Sequence, residues 1–355
     1  MNPELVNKIA DAMLYEGYML YLYRASAVKN QQRFNFGVLM PESYSVVQKG
    51  SERSMTQTEC LIKGAGDFEI DIKVRFLHLC EREVFEKRSD GFERVDSLDA
   101  GGERFQSWQE AIEREVEFLN VKFDDSKNAS FRQFAFPHSQ ETTEIQGGNG
   151  EIAGKIVRIQ EKITGKIEVS STIVQTFETY SIFKITVRVF NTTPFESPSK
   201  KSRDEALAHS LASAHTVLTA RNGEFVSLLE PDEGLDDAVR QCENIGTYPV
   251  LVGENGTERD CVWSSPIILY DYPEIAPESR GDLFDGAEID EILTLRIMTM
   301  TDEEKREMLS VDEKVREILE RTENLSGEDL MKMHGTLREP RAFENRRDRT
   351  KGAGG

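Results

Sequence analysis

The sequence predicts an α+β protein with central antiparallel β-sheets, an N-terminal helix and a C-terminal series of short capped helices. Alternating apolar and polar residues along 70–78, a β-branched run along 151–193 and capping-box spacings near the C-terminus support this class. The predicted organisation comprises an N-terminal α+β unit (1–145), a β-rich unit (151–270), an acidic connector with C-terminal helices (271–337) and a flexible basic tail (338–355).

Composition narrows the function. The chain has 355 residues, 38% of them hydrophobic and 30% charged, with a net charge of −20 and a pI near 4.8. Such acidity argues against nucleic acid as a partner, because a phosphate backbone would be repelled. No stretch approaches the roughly 18 apolar residues of a membrane span. The four cysteines form no CxxC motif, so we expect a cytoplasmic protein with reduced thiols and no membrane insertion.

The N-terminal region combines a helix with an unusual aromatic and basic segment. Asn2 and Pro3 are typical of a helix start, and Leu5, Ile9 and Met13 mark one apolar face. Residues 14–37, here called the tyrosine–basic island, follow. They include Tyr15, Tyr18, Tyr21, Tyr23, Arg24, Lys29 and Arg33. The island is expected either to recognise an acidic or planar ligand or to form a buried aromatic layer whose bases pair with this chain's own acids.

Residues 56–80 predict two strands around a turn at 64–67, and residues 107–119 predict a helix. The strand prediction rests on the period-two alternation, and the helix prediction on the capping-box spacing of Ser107 and Glu110. Residues 139–150 are polar and rich in glycine, which favours a loop and a domain boundary.

The second half predicts more strands and then helices. Residues 151–193 read as an antiparallel meander, 202–214 as a short helix, 217–229 as a hairpin turning at Asn222-Gly223, and 248–252 and 266–270 as strands. Capping-box spacings at Thr301 and Ser310, and a cap at Ser326, predict three C-terminal helices.

An acidic run at 271–291 holds eight carboxylates and one base, Arg280. Three interpretations remain open: a capped helix start with a solvated loop, a protein-binding surface, or a Ca²⁺ or Mg²⁺ site. The spacing does not match an EF-hand loop. The carboxylates assigned to a binding surface are Asp271, Glu274, Asp282, Asp285 and Glu288. Opposite charges also favour docking of the tyrosine–basic island onto this run within the fold.

A soft-metal site is the second candidate. His78 and Cys80 lie two residues apart on one predicted strand face, and Cys60 lies on the strand expected to precede it. Nickel or zinc could use these three ligands. The alternative is that all three are ordinary buried residues. No nucleophile-elbow, P-loop, dinucleotide-binding or zincin motif occurs.

Residues 14–37 (LYEGYMLYLYRASAVKNQQRFNFG) and 265–305, which contain SPIILYDYPEIAPESRGDLFDG, resemble a bacterial protein family associated with gene clusters of nickel–iron hydrogenases. The resemblance implies a role beside a hydrogenase, in assembly, maturation or scaffolding. It implies no catalytic residues.

These observations predict a non-catalytic cytoplasmic accessory protein that binds a protein partner, with a hydrogenase subunit or maturation factor as the implied partner and no cofactor expected. Two alternatives are a nickel- or zinc-handling factor using Cys60, His78 and Cys80, and a carboxylate-dependent hydrolase using residues 282–288.

Overall fold

The computed structural model describes residue 14 and residues 37–123, 129–148, 150–253, 256–273, 300–301 and 305. These ranges contain three α-helices, α1 (Glu42–Val47), α2 (Arg203–Leu207) and α3 (Asp236–Val239), and a 3-10 helix at Pro198–Lys200. The strands are β1 (Met55–Arg88), β2 (Gly91–Val95), β3 (Ser97–Ala100), β4 (Glu103–Gln106), β5 (Trp108–Lys122), β6 (Ala129–Phe136), β7 (Ser139–Gln146), β8 (Ile152–Gln160), β9 (Ile163–Thr176), β10 (Ser181–Asn191), β11 (Ala212–Val226), β12 (Tyr248–Leu251) and β13 (Cys261–Ser265).

The predicted α+β class is wrong, because the described chain is mainly β. Its centre is an 11-stranded antiparallel sheet with the path β12-β13-β11-β1-β10-β9-β6, and β3 and β4 form a separate pair. The N-terminal helix and the C-terminal helices of the prediction lie outside the described residues, apart from isolated positions. Within the part of the chain that is described, no helix is long and apolar enough to cross a membrane.

The long strand β1 organises this sheet and replaces the predicted hairpin at 64–67. It runs unbroken for 34 residues, and the polar glycine segment forms a bulge between Gly64 and Glu69. Along one edge it pairs with β10, then β5, then β2, and along the other edge with β11, then β8. Five partner strands satisfy its backbone groups, so no turn is needed.

The predicted helix at 107–119 is strand β5, which explains much of the error in fold class. Glu113 and Glu115 alternate with inward-facing residues and pair with Arg75 and Lys73 on β1. Cross-strand pairing therefore determined the structure here, because a local helical spacing is only a weak preference.

The predicted hairpin at Asn222-Gly223 is also wrong. Residues 212–226 form one strand, in which Asn222 has a φ of 59° and Gly223 lies opposite Gly64 of β1. A Cβ on Gly223 would lie 2.7 Å from Ile62 Cδ1. Asn-Gly thus forms an irregularity within a strand, opposite the bulge of β1, instead of a turn.

The antiparallel meander predicted at 151–193 is correct in part: the segment forms the strands β8, β9 and β10, and β9 pairs antiparallel with β10, but β8 pairs with β1 and β7 and not with β9. The predicted loop at 139–150 is instead largely strand β7. Strands β6 and β7 continue one register against β9 and β8, from Ala129 opposite Ser170 to Ile145 opposite Gly154. They form one long hairpin, interrupted only at 137–138 and 161–162. The strands of this hairpin therefore come from both of the units that the sequence predicts, before and after the domain boundary at residue 145.

Two shorter predictions have mixed outcomes. The capping box of Ser202 and Glu205 starts α2, but this helix ends at Leu207 and β11 begins at Ala212. Strand β12 confirms the prediction at 248–252, whereas the second predicted strand lies earlier, as β13.

Several buried clusters stabilise the sheet, and three of them show how its parts are packed together. The main core combines β1, β5, β9, β10 and β11, with Ile72, Val116, Ile167, Val187 and Leu218 among its members. A second cluster packs Leu14, Met40 and Tyr44 against Leu77 and Leu79 of β1. A third joins Val84, Ile145 and Ile156 beneath the β3–β4 pair.

Candidate functional site

A surface cavity of about 210 Å³ opens where distant parts of the chain meet, near the first residues of β1 and β12. Its described walls are Gly37, Val38, Leu39, Ser51, Glu52, Arg53, Thr56, Gly246, Tyr248 and Pro266. Leu39 fixes this junction through bridges to Leu211 and Arg53. Pockets for drug-sized ligands measure roughly 300–1,000 Å³, so the cavity suits one side chain or small group of a partner.

The cavity joins the two sequence stretches that carry the family resemblance. Gly37 ends the first stretch, and Pro266 lies at the start of the second. A Cβ on Gly37 would lie 2.6 Å from Pro266 Cγ, and Gly37 has a φ of +55°. The Gly37 carbonyl also accepts a hydrogen bond from the Ala214 amide at 2.9 Å. Only glycine fits this contact without a shift of the proline ring or backbone.

One positively charged side chain in the described wall of the cavity has no acidic partner in the described part of the chain. Arg203 Nε donates to Glu52 Oε1 at 2.7 Å, so the Glu52 carboxylate is already paired. Arg53 is exposed and its side chain lies over Gly246. No acidic side chain in the described part of the chain forms an ion pair with Arg53. In a protein of net charge −20, a guanidinium without an acidic partner among the described residues is a candidate site for an external carboxylate.

Three large apolar side chains are exposed on the wall of this cavity or in the segment that follows Pro266. Tyr248 on its wall is 44% exposed, and Ile268 and Tyr270, which follow Pro266, are 73% and 88% exposed. Leu269 between them packs onto the cluster containing Trp263. Grouped exposed apolar residues mark contact surfaces. The sequence interpretation missed this rim because it placed Ile268 and Tyr270 on one face of a buried strand.

Asp271 connects the acidic run to the sheet. Its Oδ1 accepts from the Leu251 amide at 2.7 Å, and its Oδ2 accepts from the Ser227 hydroxyl. The Tyr272 amide donates to the Leu251 carbonyl at 2.7 Å. Asp271 and Tyr272 thus cover the outer edge of β12, and both oxygens of Asp271 are engaged within the fold.

The other binding-surface residues predicted from the sequence lie outside the described residues. They are Tyr18, Tyr21, Arg24, Lys29, Arg33, Glu274, Asp282, Asp285 and Glu288. The binding surface assigned to them therefore stays a prediction.

Polar side chains next to the cavity form a tight network. Thr58 Oγ1 donates to Ser264 Oγ at 2.7 Å, and Thr247 Oγ1 bonds the same hydroxyl. Next to Thr58, Glu59 is buried and accepts from Thr186 Oγ1 at 2.8 Å. Its other oxygen accepts from the Glu243 amide at 2.8 Å and lies 3.2 Å from Lys184 Nζ. Buried polar groups whose hydrogen bonds are satisfied rigidify their surroundings. The residues next to the cavity are therefore held in fixed positions.

The proposed soft-metal ligands are not brought together. Cys60 and His78 lie on one strand, 18 residues apart, which is roughly 60 Å along an extended chain. Cys60 lies opposite Ile185, and Cys80 lies opposite Glu110. The expected hairpin would have placed Cys60 on the strand paired with that of His78, but that hairpin is absent. Among the described residues, no group of three or more potential ligands is arranged to hold a metal ion.

Burial disfavours the thiolate form of the two cysteines, whereas it keeps His78 a neutral imidazole. It raises the pKa of the Cys80 thiol to about 11 and lowers the pKa of His78 to about 4. His78 Nε2 is hydrogen-bonded to the Glu161 carbonyl at 2.9 Å. The Cys60 pKa is also raised by burial. A thiolate is the form that binds metal, and these thiols are held neutral.

A buried serine–histidine pair was missed from the sequence. Ser213 Oγ lies 3.1 Å from His215 Nε2, and the His215 ring stacks on Trp263 with centroids 5.4 Å apart. His215 Nδ1 and Trp263 Nε1 have no hydrogen-bond partner. Burial lowers the pKa of His215 to about 3. The Ser-x-His spacing on one strand face is the signal that could have found the pair. All three residues are buried, so this geometry offers no entry for a substrate.

No protein-family model, curated protein or solved structure matches this chain. The resemblance to a hydrogenase-associated family therefore stays a prediction from the two sequence stretches.

Proposed function

We propose that this chain is a non-catalytic protein-binding module whose binding surface is the cavity at Gly37 and Pro266 together with its apolar rim. The observation that carries the proposal is the exposure of Tyr248 on the cavity wall and of Ile268 and Tyr270 in the segment that follows the wall residue Pro266. Apolar anchors surrounding a small pocket are typical of protein interfaces.

The cavity also indicates the chemistry of the partner. Arg53 provides a cation that has no carboxylate partner in the described part of the chain, so the partner segment presents an acidic side chain or a C-terminal carboxylate to it. The rim favours apolar or aromatic residues beside that acid. The volume of about 210 Å³ accommodates one inserted side chain. The partner is therefore a segment of protein with an acidic residue next to an apolar one.

The family resemblance makes a hydrogenase subunit or maturation factor in the cytoplasm the first partner to test. Affinity purification of the full chain from the native host, followed by mass spectrometry, identifies candidates. Direct binding of the purified candidate is then measured by calorimetry. We expect Ile268→Ser with Tyr270→Ser to weaken binding at least tenfold, because truncated interface anchors typically cost 1–2 kcal/mol or more.

A matched control comes from the other end of the sheet path. Phe131 on β6 is 65% exposed, and β6 and β12 are opposite ends of the strand order. Phe131→Ser removes similar apolar surface away from the cavity and should leave affinity unchanged. Equal binding by the rim variant and the wild type would contradict the proposed surface. Arg53→Glu then tests the carboxylate separately, and we expect it to weaken binding further.

A further inference from the structure

The long hairpin leaves one strand edge open. Strand β7 pairs with β8, and no other described strand lies on its outer side. All six residues from Ser139 to Glu144 are exposed, so neither face of this segment is covered. The outward backbone groups of β7 are therefore available to another strand.

The features that usually prevent an edge strand from pairing with another chain are weak in β7. Glu141 and Glu144 are charged, but their register places them opposite Arg158 and Lys155 of β8. Between Ser139 and Ile145 the strand has no proline or lysine, and its only register shift lies after Ile145. Lys155 thus faces the charge of Glu144, whereas Arg158 already pairs with Glu110, so the charge of Glu141 is offset only in part.

We propose that a second copy of this chain pairs with this edge, antiparallel and about a two-fold axis at Thr142. An edge strand offers its hydrogen bonds on alternate residues, so in a symmetric antiparallel pair one residue faces its own counterpart. An axis at Glu141 or at Glu144 would place two glutamates directly opposite. An axis at Thr142 places Thr142 opposite Thr142 of the second copy and avoids this repulsion.

The Thr142 axis also gives favourable neighbours. Gln140 lies opposite Glu144 of the second copy, and Glu141 lies opposite Thr143 of the second copy; both pairs can form hydrogen bonds. The sheet β2-β1-β8-β7 then continues across the axis into the same four strands of the other copy. A single strand pair is a small interface, so the dimer is reversible and depends on concentration. This inference does not depend on the proposed function, because β7 does not line the cavity.

Sedimentation velocity of the full chain over a range of concentrations tests the pairing. We expect the wild type to shift from monomer to dimer. Thr142→Lys places two lysines opposite each other and should weaken association roughly tenfold, whereas Thr143→Lys places each lysine opposite Glu141 and should strengthen it severalfold. Each variant controls for the other, because both add one lysine to the same exposed strand. Their thermal unfolding should match the wild type.

Three results would overturn the proposal. A monomer at every concentration removes the dimer, and equal association of the two lysine variants removes β7 from the interface. If Thr142→Lys strengthened association and Thr143→Lys weakened it, the two-fold axis would lie at Thr143. Hydrogen exchange of the unmodified chain gives an independent measurement. Alternate amides of β7 should become protected as the protein concentration rises, and unchanged exchange would count against the pairing.

Discussion

Pro266 lies against Gly37 so closely that a Cβ on the glycine would be 2.6 Å from the proline Cγ. This contact closes the junction between the tyrosine–basic island and the segment that leads into the acidic run. The sequence predicts that the island docks onto the acidic run, but Pro266 precedes that run, so the contact with Gly37 does not test the prediction. The charged residues of the island itself lie outside the described chain, so the ionic part of that prediction is untested.

The first prediction concerns this contact. Gly37→Ala should lower the free energy of unfolding by roughly 2–4 kcal/mol, because it adds a left-handed backbone penalty and a steric clash with Pro266. Gly50→Ala is the matched control, since Gly50 has a φ of +79° and open space around its Cβ position. It should cost only about 1 kcal/mol. Urea denaturation of both variants measures the difference, and equal losses would mean that the proline contact is not rigid.

The second prediction concerns the edge of β12. Asp271→Ala leaves the Leu251 amide and the Ser227 hydroxyl without their carboxylate partner. Unpaired buried donors cost about 1–3 kcal/mol each, so we expect a loss of roughly 2 kcal/mol. Asp237→Ala is the control, because the Asp237 side chain is 91% exposed and pairs only with Arg240. It should change stability by less than about 0.5 kcal/mol. A small loss at both positions would show that Asp271 is dispensable for the edge.

The outcome at these positions shows which features the sequence could predict. Local signals succeeded where the structure depends on neighbours in sequence. The helix predicted at 202–214 does begin after Ser202, although it ends at Leu207, and the hydrogen bonds of its capping box lie within four residues. The strands of the meander were found because β-branched residues alternate along them.

Long-range pairing explains the failures. The segment from Gly64 to Glu69 looks like a turn, but β10, β5 and β11 line up along β1 and hold it straight. Nothing within a few residues of Gly64 carries that information. The cavity could not be predicted for the same reason, because its walls come from four segments that are distant in sequence. The exposure of Tyr270 likewise depends on the tertiary packing around it and not on its sequence neighbours.

The third prediction is a pH dependence carried by buried histidines. Burial lowers the pKa of His215 to about 3 and that of His78 to about 4, whereas an unfolded histidine titrates near 6.5. Between these values the unfolded state binds more protons than the folded state. Stability is therefore full above about pH 6.5 and falls as the pH decreases toward 4.

His215→Phe isolates one of these groups and keeps the ring against Trp263. Its free energy of unfolding should vary less with pH than that of the wild type, by up to about 1.4 kcal/mol per pH unit between pH 6 and 4. Urea denaturation at several pH values measures both slopes. Identical slopes would show that His215 is protonated in the folded protein.

The last prediction concerns Glu110, which the sequence interpretation assigned to the cap of a helix. In the structure its carboxylate bridges two strands: Arg82 Nη1 donates to Oε1 at 2.9 Å, and Arg158 Nε donates to Oε2 at 2.8 Å. The side chains of Glu110 and Arg82 are only 17% and 9% exposed. Glu110→Ala leaves two adjacent cations without their anion, so we expect a loss of roughly 3–5 kcal/mol.

Glu115 provides the comparison on the same strand. Its side chain is 39% exposed and pairs with Lys73 and Arg75, so Glu115→Ala should cost at most about 1 kcal/mol. Adding Arg158→Met to Glu110→Ala should recover part of the loss, because one of the uncompensated charges is removed. Urea denaturation of the four proteins completes this test. If the double variant were no more stable than Glu110→Ala, charge repulsion would not be the cause, and the loss would come from the other contacts of the Glu110 side chain.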